Sequence, residues 1–312
     1  MTTALFTHPS AREHVTPPGH PEQVARIEAI WRALEAPAFT ALDRREAPEA
    51  SEADLELCHP RGHIEAIRAA IPESRYVALD ADTFVSPGSW EPALRAVGGC
   101  IAAVDAVLAG EVANAFVAMR PPGHHAERAR PMGFCLFGNV AIAARHALER
   151  HGLSRVAILD FDVHHGNGTQ DLMWDEPRVR FASSHQMPLY PGTGSREERG
   201  AHGNIINVPL KPMTGGAEMR AAWDGEILPA IDAFAPELVL VSAGFDAHAA
   251  DPLAQLNWTE EDFAWLTGRI CDVAARHAGG RVVSTLEGGY DLQALAASVA
   301  AHVSVLMERG EE

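Results

Sequence analysis

Residues 156–170 hold the residue types best suited to chemistry in this sequence. They open with residues 156–159, a continuous apolar run typical of a strand buried in a parallel sheet. Side chains two residues apart share one face of an extended chain, so Asp160, Asp162 and His164 are predicted to point the same way. Because carboxylate and imidazole groups are good ligands for a divalent metal ion, the pattern predicts a metal site at a strand end.

Polar motifs that contain or adjoin glycine also follow other apolar runs. The histidine pair His124–His125 follows one run and Asp246 another, while Tyr290 comes after a third run and two glycines that are expected to bring the phenol close. Gly166 and Gly168 are expected to let the backbone turn sharply behind the acidic cluster. Ligands bind beyond the carboxyl ends of the strands in parallel sheets, so these motifs predict a single shared site.

The combination of residues predicts hydrolysis. A metal ion on Asp162, His164 and Asp246 would have three protein ligands and an open position, as in catalytic zinc sites. Two carboxylates nearly neutralise Zn²⁺, so its water would need a base, which the pair His124–His125 can supply. Tyr290 keeps its proton near neutrality and can donate to an oxyanion. Together these groups predict hydrolysis of a carbonyl compound, most simply an amide.

Each motif taken alone has a simpler explanation. The charged cluster could be a solvated loop, the histidine pair could fill a turn, and Asp246 could cap a helix. Their joint occurrence at successive strand ends favours one active site instead.

The elements that must position these residues alternate between strand and helix. This alternation predicts an α/β fold with a parallel sheet and helices on both faces, as one domain over residues 1–312. The predicted strands are residues 115–119, 156–159, 179–183, 204–210, 238–241 and 281–286, with a loop at 79–88. The predicted helices are residues 20–35, 63–70, 90–108, 139–150, 217–234, 259–277 and 292–307.

Composition excludes several classes of function. The formal net charge of −17 disfavours direct nucleic-acid binding and is compatible with a cationic substrate. The sequence has no uninterrupted apolar window of about 18 residues and no secretory signal, so no membrane association is expected. Its cysteines are scattered, which fits a reduced, cytoplasmic protein with buried thiols; they are Cys58, Cys100, Cys135 and Cys271.

Six motifs together resemble the zinc-dependent histone deacetylase family across nearly the whole chain. They are Arg120-Pro-Pro-Gly-His-His-Ala126, Gly133-Phe-Cys135, Asp160-Phe-Asp-Val-His-His-Gly-Asn-Gly-Thr-Gln170, Pro191-Gly-Thr-Gly194, Gly244-Phe-Asp246 and Glu287-Gly-Gly-Tyr290. Asn167 and the motif at Gly244 resemble the class II branch, which includes bacterial deacetylase-like amidohydrolases and acetylpolyamine amidohydrolases. The resemblance implies the arginase/deacetylase fold, with a central parallel sheet of about eight strands.

The resemblance also implies a role for each residue of the site. It implies one Zn²⁺ ion on Asp162, His164 and Asp246, His125 as the general base that later protonates the amine, His124 as its electrostatic partner and Tyr290 as the oxyanion donor. Asp160 would orient His124, and Asn167 would lie behind His125. Because Asn167 is neutral, it would hold His125 without raising the pKa of the imidazole, which could then start unprotonated near neutral pH.

Two further groups of residues follow from the resemblance. A structural K⁺ ion would bind mostly backbone oxygens of Asp160, Asp162, His164, Ser183 and Ser184. A narrow tunnel for the acyl-bearing chain would be lined by Gly133, Phe134 and Tyr190, with Asp82 gripping the substrate at the rim and Arg26 near an inner acetate exit.

Leu253 bears on the choice of substrate. It falls where some polyamine-selective relatives place an acidic residue, so an acetyl-lysine side chain or a small acetylated amine is favoured, with an acetylpolyamine-selective amidohydrolase as the alternative. A ureohydrolase with two manganese ions would need a second set of aspartate ligands. A non-catalytic binder of acetylated partners would be expected to lose the base or the tyrosine. Both are therefore disfavoured, and the oligomeric state is left open.

Overall fold

Eight parallel strands form the centre of the protein in a computed structural model that describes residues 1–311. Glu312, the last residue of the predicted domain, lies outside the described residues. The described residues form ten strands in all, eight in this sheet and two in a separate pair. They are β1 (Thr3–Thr7), β2 (Asp43–Glu46), β3 (Val77–Ala78), β4 (Phe84–Val85), β5 (Asn114–Val117), β6 (Val156–Asp160), β7 (Val179–Gln186), β8 (Ile205–Leu210), β9 (Leu238–Ala243) and β10 (Val282–Leu286). Strands β3 and β4 form a separate antiparallel pair, and the main sheet has the order β2-β1-β5-β10-β9-β6-β7-β8.

Helices cover this sheet. They are α1 (Val24–Leu34), α2 (Glu52–Leu55), α3 (Arg61–Ala70), α4 (Trp90–Leu108), α5 (Asn139–Arg150), α6 (Asn167–Met173), α7 (Gly216–Ala222), α8 (Leu228–Phe234), α9 (Glu260–His277) and α10 (Leu292–Glu311). Helix α10 packs against both α1 and α9, and α4 packs on α5. The predicted parallel sheet with helices on both faces is confirmed. Within residues 1–311, no helix combines the length and apolar character needed to cross a membrane.

The four strands at the middle of the sheet lead into the motifs of the predicted site. Strands β5, β10, β9 and β6 are neighbours, and every residue in them is buried. They run parallel, with Asp160 of β6 opposite Ser242 of β9 and Leu286 of β10 opposite Ala243. Their carboxyl ends therefore meet at one edge of the sheet, where the polar motifs converge.

Strands β1 and β2 were not among the strands predicted from the sequence. Strand β2 has the sequence Asp-Arg-Arg-Glu, without an apolar residue, and lies at the edge of the sheet. Such an edge strand carries no buried apolar pattern that could reveal it. The loop predicted at residues 79–88 contains strand β4, which is only two residues long.

The helix predicted at residues 217–234 is interrupted in its middle. A π-helical turn at Trp223–Ile227 joins α7 to α8. Pro229 lies in the first turn of α8 and has no N–H to donate to the preceding turn, which accounts for the irregular segment. The buried indole of Trp223 donates a hydrogen bond of 3.0 Å to the hydroxyl oxygen of Ser184 and ties this turn to β7.

Candidate active site

Asp162, His164 and Asp246 form a compact buried cluster beyond the ends of β6 and β9. One potential ligand atom from each side chain lies within 4.8 Å of the other two. The Nδ1 atom of His164 is 3.2 Å from Oδ1 of Asp162 and 3.0 Å from Oδ2 of Asp246. The structure thus brings together the three residues that were predicted to bind a metal ion.

Hydrogen bonds from backbone N–H groups to aspartate side chains orient this cluster. The sequence had suggested instead that the alternation of side chains along a strand would do so. Strand β6 ends at Asp160, whose Oδ1 accepts a hydrogen bond of 3.1 Å from the N–H of Asp162. Asp162 Oδ1 accepts one of 2.9 Å from the N–H of His164, and Asp246 Oδ1 accepts one of 2.8 Å from Val163. Aspartates commonly bond the backbone two residues further on in this way.

Glycines pack directly against the carboxylates, and this is a different role from the one predicted. A Cβ atom on Gly166 would lie 2.2 Å from Oδ2 of Asp160, and its φ of −74° requires no glycine. Likewise, a Cβ on Gly244 would lie 2.0 Å from Asp162, and one on Gly288 would lie 2.2 Å from Asp246. The backbone does turn sharply at Gly166, as expected, since the N–H of Asn167 donates a hydrogen bond of 2.8 Å to the carbonyl oxygen of His165, but the position needs glycine for space rather than for its φ.

The chemistry of the cluster fits a divalent cation. The ion pairs of Asp162 and Asp246 are with histidines. Burial lowers the pKa of His164, but hydrogen bonds with the two aspartates outweigh it and raise the pKa to about 10. The proton on His164 therefore supplies the positive charge that the buried carboxylates need. A divalent metal ion bound to the same oxygen and nitrogen atoms would replace that proton.

The two histidines of the pair have partners of different charge. The Nδ1 atom of His124 lies 3.0 Å from Oδ2 of Asp160, whereas the Nδ1 atom of His125 lies 2.7 Å from Oδ1 of Asn167. The amide of Asn167 donates in turn to Glu127, at 2.8 Å, which fixes its oxygen toward His125. In the hydrogen bond between His125 and Asn167, Nδ1 of His125 therefore carries the proton. Its Nε2 keeps a free lone pair.

The pKa values of these histidines diverge accordingly. Burial lowers the pKa of His124, but the charges of Asp162, Asp160 and Glu287 raise it well above its usual range. Burial and the charges of His124 and His164 hold the pKa of His125 well below its usual range. One imidazole is thus suited to remain charged, and its neighbour, with ring centres 4.0 Å apart, is suited to accept a proton.

Tyr290 is held from both its backbone and its ring. Its N–H donates a hydrogen bond of 2.7 Å to Oδ2 of Asp251, and Arg26 lies over its ring. Burial raises the pKa of the phenol well above 10, although Arg26 opposes the shift. The hydroxyl therefore stays protonated and can act as a hydrogen-bond donor.

A cavity of about 350 Å³ connects the cluster of Asp162, His164 and Asp246, through His164, with these groups. Its walls include His164 of the cluster together with His125 and Tyr290. All five predicted substrate-binding residues also line it, namely Asp82, Gly133, Phe134, Tyr190 and Leu253. His20, Pro21, Ala81, Phe84 and Leu189 complete the lining and were not predicted.

Gly133 illustrates how closely the cavity wall approaches His125. It has φ +55°, and a Cβ at this position would lie 2.4 Å from Cδ2 of His125. Phe134 follows with φ +70°, and its N–H donates a hydrogen bond of 3.0 Å to the hydroxyl of Thr83. The left-handed backbone here turns the Phe134 ring into the cavity, 5.8 Å from the Tyr290 ring.

Asp162 and His164 of the predicted potassium site belong to the cluster itself, and the other three residues, Asp160, Ser183 and Ser184, lie on the neighbouring strands β6 and β7. Ser183 is opposite Asp160 in the pairing of β6 with β7, and all five residues are buried. The hydroxyl of Ser183 lies 2.9 Å from Nδ1 of His185. That of Ser184 accepts a hydrogen bond from Trp223. The serine side chains are therefore engaged by other groups, and potassium binding there stays a prediction.

Glu287 is the clearest site residue to which the sequence analysis assigned no role. One of its carboxylate oxygens accepts hydrogen bonds from the N–H groups of Gly123, at 2.7 Å, and His124, at 3.1 Å. The other accepts one of 3.0 Å from the hydroxyl of Ser242. Burial raises the pKa of Glu287 to about 7, although the charge of His124 opposes the rise. Its place at the start of the motif Glu287-Gly-Gly-Tyr290, directly after a predicted strand, was the signal in the sequence.

Arg26 is fully buried beside the site. Its guanidinium donates hydrogen bonds of 2.6 Å to the carbonyl oxygens of Gly289 and Glu287, and one of 3.0 Å to the carboxylate of Glu22. Glu22 also forms an ion pair with Arg120. Arg26 thus holds the segment that bears Tyr290, and its place near an inner acetate exit stays a prediction.

Comparisons with known proteins agree with this geometry. The profile of the histone deacetylase domain matches residues 20–306. The histone deacetylase-like amidohydrolase of Pseudomonas aeruginosa is 42% identical over 284 residues, covering 88% of this chain and 74% of that protein. The polyamine deacetylase HDAC10 of Homo sapiens is 38% identical over 98% of this chain and 48% of its own length. The crystal structure of the HDA15 HD domain superposes with a TM-score of 0.94 at 33% identity, covering 98% of this chain and 88% of that one.

Proposed function

The chain belongs to the histone deacetylase family, and on that basis we propose that it uses one Zn²⁺ ion, held by Asp162, His164 and Asp246, to remove acetyl groups from amines. Residues 1–312 would form a single catalytic domain. The observation that carries the proposal is that one cavity is lined by a residue of the metal cluster, by His125 and by Tyr290.

The residues of the cavity suit a hydrolytic sequence of proton transfers. When bound, zinc supplies a Lewis acid that polarises the acetyl carbonyl and acidifies the attacking water. His125 would take a proton from that water at Nε2 while Asn167 holds its Nδ1–H. As the carbon–oxygen bond forms, Tyr290 would donate a hydrogen bond to the developing oxyanion. His125 would then return the proton to the amine nitrogen as the carbon–nitrogen bond breaks.

His124 would act through its charge rather than by transferring a proton. It would remain an imidazolium because three carboxylates surround it, those of Asp160, Asp162 and Glu287. A fixed positive charge beside His125 lowers the proton affinity of that imidazole before reaction. It also favours the negative charge that develops on the substrate. A K⁺ ion on the backbone oxygens of the β6–β7 region would be structural.

The proposed substrate is an acetyl-lysine side chain or a small acetylated amine. The cavity is lined by apolar and aromatic side chains, which suits the aliphatic stem of an acetylated amine. Asp82 in the wall would bind an N–H or ammonium group of the substrate. The name of the human relative supports the alternative, an acetylpolyamine, whereas Leu253 offers no charge to attract a second amine.

Acetate release tests the proposal. Zinc-reconstituted protein would be compared on an acetyl-lysine peptide, acetylputrescine and acetylspermidine, with and without a chelator. We expect turnover that the chelator abolishes, and no turnover in His125→Ala protein that still binds zinc. Full activity of His125→Ala would contradict the mechanism, and zinc-dependent binding of acetyl-lysine peptide without acetate release would identify a non-catalytic binder instead.

A further inference from the structure

A second group of metal-binding side chains lies on the outer surface, between α4 and α5. Nε2 of His146 and Nε2 of His151 each lie 2.6 Å from the same carboxylate oxygen of Asp105. His146 belongs to α5 and His151 directly follows it, whereas Asp105 belongs to the neighbouring helix α4. The two rings are 5.3 Å apart, so all three side chains converge on one point.

This donor set matches the preferences of divalent transition metals. Two imidazole nitrogens and a carboxylate oxygen suit Zn²⁺, Ni²⁺ and Cu²⁺, and the three atoms lie within 4.8 Å of one another. Tetrahedral bonds of about 2.0–2.1 Å would separate neighbouring ligand atoms by roughly 3.3 Å. Each Nε2–oxygen distance would therefore open by less than about 1 Å, which the half-exposed side chain of Asp105 can accommodate.

Metal binding through Nε2 of His146 requires the imidazole proton to be on Nδ1. Its Nδ1 atom is buried and has no hydrogen-bond partner among the described residues. The Nε2 proton now bonds Asp105, so a metal ion would displace it and leave His146 with its proton on Nδ1, which no other described group engages. In His302, by contrast, hydroxyl groups engage both ring nitrogens, at 2.7 and 2.9 Å, so neither is available.

We propose that Asp105, His146 and His151 form a second site for a divalent transition metal, distinct from the catalytic cluster. Such an ion would join α4 to the end of α5, two helices that already pack together. Because it would bind the folded chain and not the unfolded one, it would stabilise the fold, and the stabilisation would increase with the logarithm of its concentration above the dissociation constant. The site does not depend on the proposed deacetylase activity.

Zinc binding to the holoenzyme tests the site. Protein with its catalytic zinc bound would be dialysed against increasing Zn²⁺, and bound zinc would be counted by elemental analysis. We expect a second equivalent in the unaltered protein, with an affinity at least about tenfold weaker in both His151→Gln and Asp105→Asn. The thermal unfolding midpoint should rise with added zinc in the unaltered protein and rise less at the same zinc concentration in both variants.

The chain offers a matched control in His277. Its Nε2 lies 2.8 Å from an oxygen of Asp232, but the other partner of that oxygen is Arg276, which cannot bind a metal. His277→Gln should therefore retain the second equivalent. Saturation of the unaltered protein at one equivalent would overturn the proposal. So would a second equivalent that survives in both His151→Gln and Asp105→Asn.

Discussion

The guanidinium carbon of Arg26 lies 4.8 Å from the centre of the Tyr290 ring. A fully buried cation thus packs against the face of the phenol, and the same guanidinium holds the carbonyl oxygens of Glu287 and Gly289. Because these contacts involve the ring and the backbone, the position of Tyr290 does not depend on its hydroxyl group. The role of that hydroxyl can therefore be tested without disturbing its surroundings.

Tyr290→Phe should lower kcat by about 10²–10³, the usual cost of removing one oxyanion donor. The ring stays in place, so zinc content and thermal stability should be unchanged. Tyr190→Phe is the matched control, since Tyr190 lines the same cavity, and it should keep nearly full kcat. Steady-state kinetics on an acetyl-lysine peptide would check both. A kcat for Tyr290→Phe close to that of the unaltered protein would rule out the oxyanion role.

Asp246→Asn should weaken zinc binding by more than the roughly 100-fold that the loss of an outer partner costs. The substitution keeps the shape of the side chain but removes one of the two charges that face the ion. Competition with a fluorescent chelator would measure the affinity. Asp251→Asn provides the control, because Asp251 is a nearby buried aspartate that binds the N–H of Tyr290 rather than the cluster. Equal zinc affinities in the two variants would contradict the assignment of Asp246.

Glu287→Gln should lower kcat by about 10–100-fold while zinc remains bound. The amide oxygen can still accept from the N–H groups of Gly123 and His124, so the main loss, at a pH above the Glu287 pKa of about 7, is the negative charge beside His124. Ser242→Ala serves for comparison, since it removes one hydrogen bond to Glu287 and leaves that charge. If both variants reduced kcat equally, the charge would have no part in catalysis.

Leu253→Glu should shift preference toward acetylated polyamines. A carboxylate at this position in the cavity wall would attract a second, protonated amine. A gain of about tenfold in kcat/KM for acetylspermidine relative to an acetyl-lysine peptide corresponds to about 1.4 kcal/mol. Leu253→Gln changes the polarity without the charge and should not produce the shift. The same gain in both variants would exclude an electrostatic cause.

His302 should make the fold sensitive to acid. Burial lowers its pKa to about 3, from an ordinary value of 6.5. The unfolded chain therefore binds a proton below pH 6.5 that the folded chain refuses, so stability falls as pH drops from 6.5 toward 3. Between pH 7.5 and 5.5 this one group should cost about 1.4 kcal/mol of unfolding free energy.

Denaturant unfolding of the unaltered protein and His302→Gln at these two pH values would measure that contribution. Gln does not titrate, so the stability advantage of the unaltered protein over the variant should shrink by about 1.4 kcal/mol at the lower pH. A pH-independent difference would mean that His302 titrates alike in the folded and unfolded chains.

The local sequence was sufficient for the elements that carry the site. Strands β5, β6, β9 and β10 are short apolar runs, and each is followed by the polar residues that the structure brings together. Burial on both faces demands such runs, and the chemistry demands polar groups just beyond them, so both signals lie within a few consecutive residues. The edge strand β2 has neither signal, because all four of its residues are charged and half of its side chains face solvent.

Only the tertiary structure decided which distant residues meet. The order β5-β10-β9-β6 places Glu287 against the backbone of His124, and helix α1 carries Arg26 to the ring of Tyr290. Asp105 and His151 likewise meet only because α4 packs on α5. These contacts join residues far apart in the chain, so no local pattern records them. They arise when the apolar faces of the helices and the sheet are buried together, and that packing alone decides which polar groups become neighbours.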